Sequence, residues 1–279
     1  MPMKRPLAII AVAALASAVT LTGCSSNSTN PPASNGSVTL VAPGTLTVCT
    51  HLPFEPMESR DASGTVVGFD FDWMNLVAAQ LGVTVSVVEI DPAQMSSGAA
   101  MTAKKCDIAA EGMTITDARK DAVNFSLPYF GVSQTLAVPA DSTITSLNDT
   151  NGKKLGVEAS ATGEEYATAN QAEYGYQIVS FDDAATLLNS LLSGRTDAVL
   201  FDAGYVGQFV KDNAGAKIAA QIATGEVYGF AAAKDDNGAA LIAIVDQVLQ
   251  KANSDGTYLQ IYQKWIDPTA TSASLPPAS

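Results

Sequence analysis

The sequence predicts an α/β protein built on mostly parallel sheets flanked by helices. Between about Leu46 and Ile266, short β-branched segments alternate with longer segments in which apolar residues recur every three or four positions. Strands that alternate with helices are typical of parallel sheets connected by crossover helices. No short internal repeat interrupts this alternation, so we expect an ordinary α/β core rather than a solenoid.

In the first half of the folded region we predict, in order, a strand, a helix and two more strands at residues 46–49, 72–80, 83–88 and 106–110. Asp72 has the residue type of a helix N-cap, and Gly82 provides a stop at the other end of this helix. The last strand of this set is short and apolar, as expected for a buried strand.

In the second half we predict a strand at residues 154–157, helices at 162–172 and 184–192, a strand at 197–201, and helices at 204–211, 237–253 and 258–265. The helix over residues 184–192 places Leu187, Leu188, Leu191 and Leu192 on one apolar face. Residues 268–279 are polar and contain prolines, which predicts a flexible tail.

The chain has 279 residues, of which 47% are hydrophobic, and a formal net charge of −13. Cleavage after residue 23 would remove two cations and no acid and bring the charge to −15. Nucleic acids and anionic lipid surfaces both require basic patches on their partners. The charge therefore argues against either as a partner, and we expect a monomer outside the cytoplasm.

The N-terminus has the pattern of an export signal. Lys4 and Arg5 precede an apolar run over residues 7–21, which is too short and too alanine-rich for a membrane-spanning helix. Residues 21–24 (LTGC) resemble the bacterial lipobox, in which the cysteine becomes acylated; the alternative is an ordinary signal peptide with an incidental Cys24. We predict a lipoprotein signal peptide at residues 1–23 and a flexible tether at 24–44, whose polar composition cannot build a core.

Three cysteines occur in the sequence, and Cys49 and Cys106 remain if Cys24 carries lipid. A matched pair in an oxidising compartment favours a disulfide, although two buried thiols or a metal site are alternatives. A metal site would lack histidine ligands because His51 is the only histidine in the chain. We therefore expect a Cys49–Cys106 disulfide and no metal.

Motifs for phosphate-binding loops, serine nucleophiles, zinc peptidases and calcium loops are absent from the sequence. His51 is the only imidazole that could act as a general base, and no nucleophile motif points to it. We predict a protein that is not an enzyme and needs no cofactor.

Residues 111–119 (EGMTITDAR) follow a predicted strand, at the edge where open α/β sheets bind ligands. In this segment Gly112 lets the backbone approach a ligand, Thr114 offers a hydroxyl group, and Arg119 offers a bidentate fork for a carboxylate. Taken alone, the spacing favours a strand-to-helix turn capped by Thr116 that leaves Arg119 on a solvated face.

An ordered series of motifs resembles the family 3 extracellular solute-binding proteins of ABC importers. The motifs are residues 68–72 (GFDFD), 112–116 (GMTIT) with Arg119, 125–130 (FSLPYF), 152–157 (GKKLGV), 194–199 (GRTDAV), 255–258 (DGTY) and 261–265 (IYQKW). The series spans nearly the whole folded region, which makes the resemblance specific although each motif alone is weak.

The resemblance implies a two-lobed periplasmic-binding-protein-like fold of type II, in which each lobe is a mostly parallel sheet flanked by helices. Lobe one would contain residues 45–131 and 227–267, and lobe two residues 135–223. The chain would cross between the lobes near residues 131–134 and 224–226. Such a clamp closes on a polar amino acid.

The resemblance also assigns roles to individual residues. Arg119 matches the family's arginine that binds the ligand α-carboxylate, with Thr114 and Thr162 assisting. Asp202 matches the acid that pairs with the α-ammonium group, which Gly112 also contacts through its backbone. These roles agree with the chemistry, because a zwitterion that leaves water needs a partner for each charge.

The sequence departs from the family pattern in the segment that shapes the side-chain pocket. Residues 50–54 (THLPF) are shorter than the family's segment, so Phe54 is either a pocket wall or a core residue, and His51 is either a pocket residue or an incidental polar group. Glu111 and Glu158 are unusual acids; if both face the ligand, a cationic amino acid would be favoured, and otherwise they point to solvent or local partners.

We therefore predict an extracytoplasmic lipoprotein, anchored to the cell membrane through Cys24, that captures a polar and possibly cationic amino acid and delivers it to an ABC permease. The competing hypothesis is an enzyme similar to cyclohexadienyl or arogenate dehydratase, which shares the fold and in which Glu111 or Glu158 would act as a general acid.

Overall fold

The structure is a computed structural model and describes residues 38–277. The predicted signal peptide at residues 1–23, the predicted lipidation site Cys24 and the outer part of the predicted tether lie outside the described residues.

The strands are β1 (Thr45–Thr50), β2 (Ser59–Arg60), β3 (Val66–Val67), β4 (Thr84–Glu89), β5 (Ile108–Ala109), β6 (Val123–Phe125), β7 (Phe130–Pro139), β8 (Lys154–Glu158), β9 (Gln177–Phe181), β10 (Ala198–Asp202), β11 (Ala216–Tyr228) and β12 (Ala231–Ala233). The helices are α1 (Phe69–Leu81), α2 (Pro92–Ser96), α3 (Ala99–Thr102), α4 (Asp117–Ala122), α5 (Thr162–Tyr174), α6 (Ala184–Leu192), α7 (Ala203–Asp212), α8 (Asp236–Asp255) and α9 (Thr257–Trp265). A short 3₁₀ helix covers Leu147–Asp149.

Two five-stranded sheets organise the described chain. The first has the order β4-β1-β5-β12-β6, and the second has the order β11-β7-β10-β8-β9. In each sheet one strand, β12 or β7, runs against the other four. The predicted α/β class with mostly parallel sheets is therefore confirmed. We call the first sheet with α1–α4, α8 and α9 lobe 1, and the second sheet with α5–α7 lobe 2.

Strand β1 lies at the centre of lobe 1. It pairs in parallel with both β4 and β5, and five of its six residues are buried. Burial on both faces is typical of a central strand in a parallel sheet, and here it includes Thr47 and Thr50. Its Cys49 forms a disulfide with Cys106, with a Cα–Cα distance of 5.6 Å.

Helix α1 begins earlier than the sequence analysis predicted. Its N-cap is Gly68, and Asp72 lies inside the first turn, so the predicted N-cap role of Asp72 is wrong. Gly68 has a φ of 145°, and a Cβ atom there would lie 2.0 Å from the carbonyl oxygen of Met57. Asp72 instead accepts hydrogen bonds from Lys264 and Trp265 of α9.

Helix α6 shows how lobe 2 builds its core. Asp183 caps the helix by accepting a hydrogen bond of 2.7 Å from the amide of Thr186. Leu187, Leu188 and Leu191 are buried as predicted, whereas Leu192, predicted on the same face, is 45% exposed. The apolar stripe is thus narrower than the leucine pattern indicated.

Strands β7 and β11 connect the two lobes. They pair antiparallel over most of their length, from Phe130 opposite Tyr228 to Pro139 opposite Ala216. Tyr228 belongs to the buried core of lobe 1, whereas Leu136 and Val138 belong to a core of lobe 2. The register shifts between Ile222 and Glu226, which is where the pair passes from one core to the other.

The inner end of the predicted tether is held on lobe 1. Thr39 exchanges two hydrogen bonds with the side chain of Asn237, and the amide of Val41 donates to Asp107 at 2.7 Å. At the other terminus, Leu275 packs on the same core and its amide donates to Asn253. Residues 38–41 and 273–275 are therefore packed, which corrects the predictions of a flexible tether and tail for these residues.

None of the helices within residues 38–277 combines the length and the hydropathy needed to cross a bilayer.

Candidate functional site

A cavity lies where the carboxyl ends of parallel strands from both lobes face each other. His51 follows β1 and Glu111 follows β5 in lobe 1, while Glu158 and Asp202 end β8 and β10 in lobe 2. Open α/β sheets bind their ligands at this edge. The cavity contains about 590 Å³ of space, including its open mouth.

All nine ligand-binding residues predicted from the sequence line this one cavity. They are His51, Phe54, Glu111, Gly112, Thr114, Arg119, Glu158, Thr162 and Asp202. They come from both lobes and are separated by up to 151 positions along the chain. The fold therefore places residues that are distant in sequence around one cavity.

Arg119 spans the gap between the lobes. Its helix α4 is capped by Thr116, whose hydroxyl accepts from the Arg119 amide at 3.2 Å. The guanidinium donates through Nη1 to the carbonyl of Thr114 at 3.0 Å and through Nη2 to the carbonyl of Ser160 in lobe 2 at 2.9 Å. The capped turn considered in the sequence analysis is present, but Arg119 is half-buried in the cavity rather than free in solvent.

On the lobe 2 side of the cavity, the start of α5 lies opposite Arg119. Thr162 is the first helical residue and is buried, and the N-cap residue Ala161 has no side-chain acceptor for the free amides of the first turn. Such free amides and the helix dipole favour an anion. Ser160, just before the helix, has a φ of 65°, a strained conformation that is common at binding sites.

Asp202 lies at the bottom of the cavity and is buried. Its carboxylate accepts hydrogen bonds from the hydroxyl of Tyr228 and from Nε2 of Gln134, both on the strands that connect the lobes. Burial raises the pKa of Asp202 to about 6, although these hydrogen bonds and the charge of Arg119 oppose the rise.

Phe54 and Gly112 form a shared wall. Gly112 has a φ of 60°, and a Cβ atom there would lie 2.4 Å from Cε1 of Phe54, so only glycine fits under the ring. The Gly112 amide donates to Asp70 at 3.0 Å. The Phe54 ring also contacts Phe201 and Tyr205 of lobe 2, with centroid distances of 5.8 and 5.4 Å.

Glu111 and Glu158 face the cavity from opposite lobes. Burial raises the pKa of Glu158 to about 8, helped by the negative charge of Asp202, and raises that of Glu111 well above its ordinary value despite the opposing charge of Arg119. Arg119 is the only lysine or arginine among the described residues that line the cavity. The lining of the cavity therefore has an excess of carboxyl groups.

The sequence analysis missed three residues of the site. Glu58 lines the cavity although it is fully buried, and Tyr228 and Gln134 hold Asp202 from below. No local pattern marks them: Glu58 lies in an irregular turn, and the other two lie in strands that the sequence analysis did not predict. Only the three-dimensional pairing of β7 with β11 brings them to the site.

Within residues 38–277, no group of three or more histidine, cysteine, aspartate or glutamate side chains is arranged to hold a metal ion.

The fold and the site together define a protein that binds a small charged solute between two α/β lobes. The chain belongs to the bacterial extracellular solute-binding proteins, family 3, whose model matches residues 46–268.

Relatives support this assignment at the level of whole chains. The chain is 30% identical over 264 residues to a probable histidine-binding protein of Neisseria gonorrhoeae, covering 92% of this chain and 94% of that protein. It is similar to the structure of an ancestral arginine-binding protein bound to arginine, with 37% identity, a TM-score of 0.74, and coverage of 80% of this chain and 98% of that one.

A third similar structure bears on the enzyme hypothesis. It is an ancestral amino acid-binding protein described as a precursor of cyclohexadienyl dehydratase, with 32% identity, a TM-score of 0.70, and coverage of 80% of this chain and 95% of that one.

Raised carboxyl pKa values predict that the ligand-free protein loses stability as the pH rises. Between the ordinary pKa of glutamate and about 8, folded Glu158 holds a proton that the unfolded chain has released, so the free energy of unfolding falls through this window. We expect a fall of about 1 kcal/mol or more between pH 5 and pH 8, since one pKa unit corresponds to about 1.4 kcal/mol. Urea unfolding across this range measures it.

Glu158→Gln should flatten this slope, whereas Glu165→Gln, on the exposed side of α5, should leave it unchanged. Equal slopes for the wild type and Glu158→Gln would contradict the raised pKa of Glu158.

Proposed function

We propose that this protein captures a cationic α-amino acid between its lobes for an ABC importer. One observation carries the proposal: Arg119 of lobe 1 and Asp202 of lobe 2, groups of opposite charge, line the same buried cavity. An α-amino acid carries a carboxylate and an ammonium group on one carbon atom, and these two side chains supply a partner for each.

The carboxylate group of the ligand would bind near Arg119. A planar guanidinium binds a carboxylate through two parallel hydrogen bonds. Thr114 and Thr162 line the same part of the cavity, and the N-terminus of α5 adds the positive end of a helix dipole. The guanidinium donates to two backbone carbonyls, which a ligand carboxylate would replace as acceptors.

The rest of the cavity favours a ligand whose side chain carries a positive charge. Beyond Asp202, the acidic residues Glu111 and Glu158 line the cavity. Buried carboxylates are unfavourable unless they are paired, and a ligand cation would provide the missing partner. The arginine bound to a similar ancestral protein is such a ligand.

Ligand binding would couple to closure of the lobes. We propose that residues 45–131 and 227–267 move as one body, and residues 135–223 as another, about the crossing strands β7 and β11. Because Arg119 and Asp202 lie on different bodies, a ligand that binds both has a higher affinity for the closed state.

Binding rather than catalysis is the proposed activity. The alternative, a dehydratase-like enzyme, has one observation in its favour, since the raised pKa of Glu158 would suit a general acid. The structural neighbour related to such enzymes is itself described as an amino acid-binding protein. Turnover of prephenate or arogenate would establish the enzyme instead.

We further propose that the mature protein is a monomer held at the membrane by lipid on Cys24. The support is the sequence of residues 21–24 and the polar segment that follows it. A tethered binding protein keeps its ligand close to a permease in the same membrane.

The function is tested with a panel of common amino acids, ornithine, citrulline, prephenate and arogenate, using thermal unfolding of protein that begins after residue 35. A specific ligand at 100 times its dissociation constant adds about 2.7 kcal/mol of stability.

Arg119→Ala should weaken binding at least about 100-fold because a charged hydrogen-bonding partner is lost. Lys120→Ala, at the neighbouring exposed position, should bind like the wild type. Wild-type affinity in Arg119→Ala would refute the site, and a lack of any response in the wild type would refute the function.

Selectivity for a cationic side chain is tested by neutralising the acids one at a time. Glu111→Gln and Glu158→Gln should each reduce affinity for arginine, lysine or ornithine by about tenfold or more, while affinity for neutral amino acids stays the same or rises. Calorimetric titration of both ligand types measures the change, with Glu165→Gln as the control. Equal losses for cationic and neutral ligands would show that the two acids shape the cavity rather than select charge.

The lipid anchor is tested by expressing the full chain and Cys24→Ala in a bacterial host and comparing membrane fractions and intact masses. Wild-type protein should be found with the membrane and carry an acylated N-terminus at Cys24, because more than one acyl chain gives stable anchoring. Cys24→Ala should lose both properties. An unmodified wild-type protein in the soluble fraction would favour an ordinary signal peptide.

A further inference from the structure

Two buried carboxyl groups, Glu58 and Asp70, lie together behind the ligand cavity. Both residues have no solvent exposure. They belong to different segments, since Glu58 lies in the turn before β2 and Asp70 in the first turn of α1. The segments are joined by backbone hydrogen bonds of 3.0 Å from Phe69 to Pro56 and from Asp70 to Met57, which bring the start of α1 against Glu58.

The hydrogen bonds of this pair are incomplete. Oδ2 of Asp70 accepts from the Gly112 amide at 3.0 Å and from the Tyr129 hydroxyl at 2.8 Å. Oδ1 of Asp70 and both carboxyl oxygens of Glu58 are buried and have no hydrogen-bond donor. Buried polar atoms are nearly always paired, so three unpartnered oxygens in adjacent residues require an explanation.

A single proton accounts for two of these three atoms. Two carboxylates that share a buried site cannot both remain ionised. A protonated carboxyl group is a donor as well as an acceptor, so a protonated Glu58 can donate to Oδ1 of Asp70. This hydrogen bond would give Oδ1 of Asp70 a donor and one Glu58 oxygen a partner, and the proton removes one of two buried negative charges.

We propose that Glu58 and Asp70 form a carboxyl–carboxylate pair that shares one proton and acts as a positioning element for the Phe54–Gly112 wall of the cavity. The part of this inference that concerns ligand affinity rests on the proposed function.

The charges around the pair support a shared proton. The groups that act on Glu58 are Asp70 from α1, Glu111 from the loop after β5, and Glu55 from its own turn, and all three are acidic. Burial, together with these charges, raises the pKa of Glu58 well above its ordinary value, and burial raises that of Asp70 to about 7. Tyr129, which faces both acids from the start of β7, has a raised pKa and remains a neutral donor.

The pair is connected to both halves of the wall. On one side, Phe54 and Glu58 exchange backbone hydrogen bonds of 2.8 and 3.0 Å, which close the turn that carries the Phe54 ring. On the other side, Asp70 holds the Gly112 amide. Loss of the shared proton would place two like charges between these supports and push them apart.

Substitutions at Glu58 can distinguish a role in sharing a proton from a role in packing alone. Glu58→Gln keeps the shape and replaces the proton with an amide donor, whereas Glu58→Met keeps the bulk and leaves Oδ1 of Asp70 without a donor. We would make both in a Glu158→Gln background, which removes the titration of Glu158, and measure stability from pH 5 to pH 9 together with amino acid affinity at pH 6. Glu55→Gln, in the same turn, is the matched control.

The Gln variant should match its parent at pH 6, with affinity within about twofold, and should lose less stability as the pH rises. The Met variant should lose affinity by about tenfold or more. A Gln variant that is less stable than its parent at pH 6 and keeps the full pH slope, or a Met variant equal to the Gln variant, would overturn the proposal.

Infrared spectroscopy gives a second measurement that needs neither ligand nor an intact Met variant. In a Glu111→Gln, Glu158→Gln background, the carbonyl band of protonated carboxyl groups at pH 6 should lose the intensity of one group on adding Glu58→Gln, while the contribution of Asp202 cancels in the difference spectrum. A band that persists unchanged would contradict a proton on Glu58. If no amino acid binds the wild type, the proposed function fails, but the pH slopes and this band still decide whether the pair exists.

Discussion

The antiparallel pairing of β7 with β11 is the constraint on which the site depends. Each sheet gathers polar side chains at the carboxyl ends of its parallel strands, but Arg119 belongs to lobe 1 and Asp202 to lobe 2. The two crossing strands turn these edges toward each other. They also supply Gln134 and Tyr228, which hold Asp202, so the connection between the lobes and the floor of the cavity are one structure.

Several contacts join the two lobes across the cavity. Arg119 reaches the carbonyl of Ser160, and the Phe54 ring packs against Phe201 and Tyr205. The first of these contacts uses the group that would bind a carboxylate, and therefore competes with the ligand. The second is apolar, lies at the wall and uses no group that would bind the ligand's charges, so we expect it to be retained. Affinity would thus reflect a balance between replaced and retained contacts rather than the sum of all contacts with the ligand.

Much of the fold was predictable because its signals are local. The β-branched run that became β4 and the leucine pattern of α6 are readable from a few neighbouring residues. Helix α1 was placed too late because an acidic residue resembles an N-cap, whereas the real cap, Gly68, is selected by a close approach to Met57 that no local pattern contains. The nine cavity residues were predictable only through the ordered family motifs. Glu58 and Gln134 were not, since their roles depend on partners more than ten positions away.

Both ends of the described chain are attached to lobe 1. Thr39 and Val41 are fixed by Asn237 and Asp107, and Leu275 is fixed by Asn253, while lobe 2 is an insertion carried on two strands. A force applied through either terminus is therefore borne by lobe 1 and does not load the crossing strands. For a protein held at its N-terminus, lobe 1 would remain stationary with respect to its support, and opening and closing would consist of lobe 2 swinging against it.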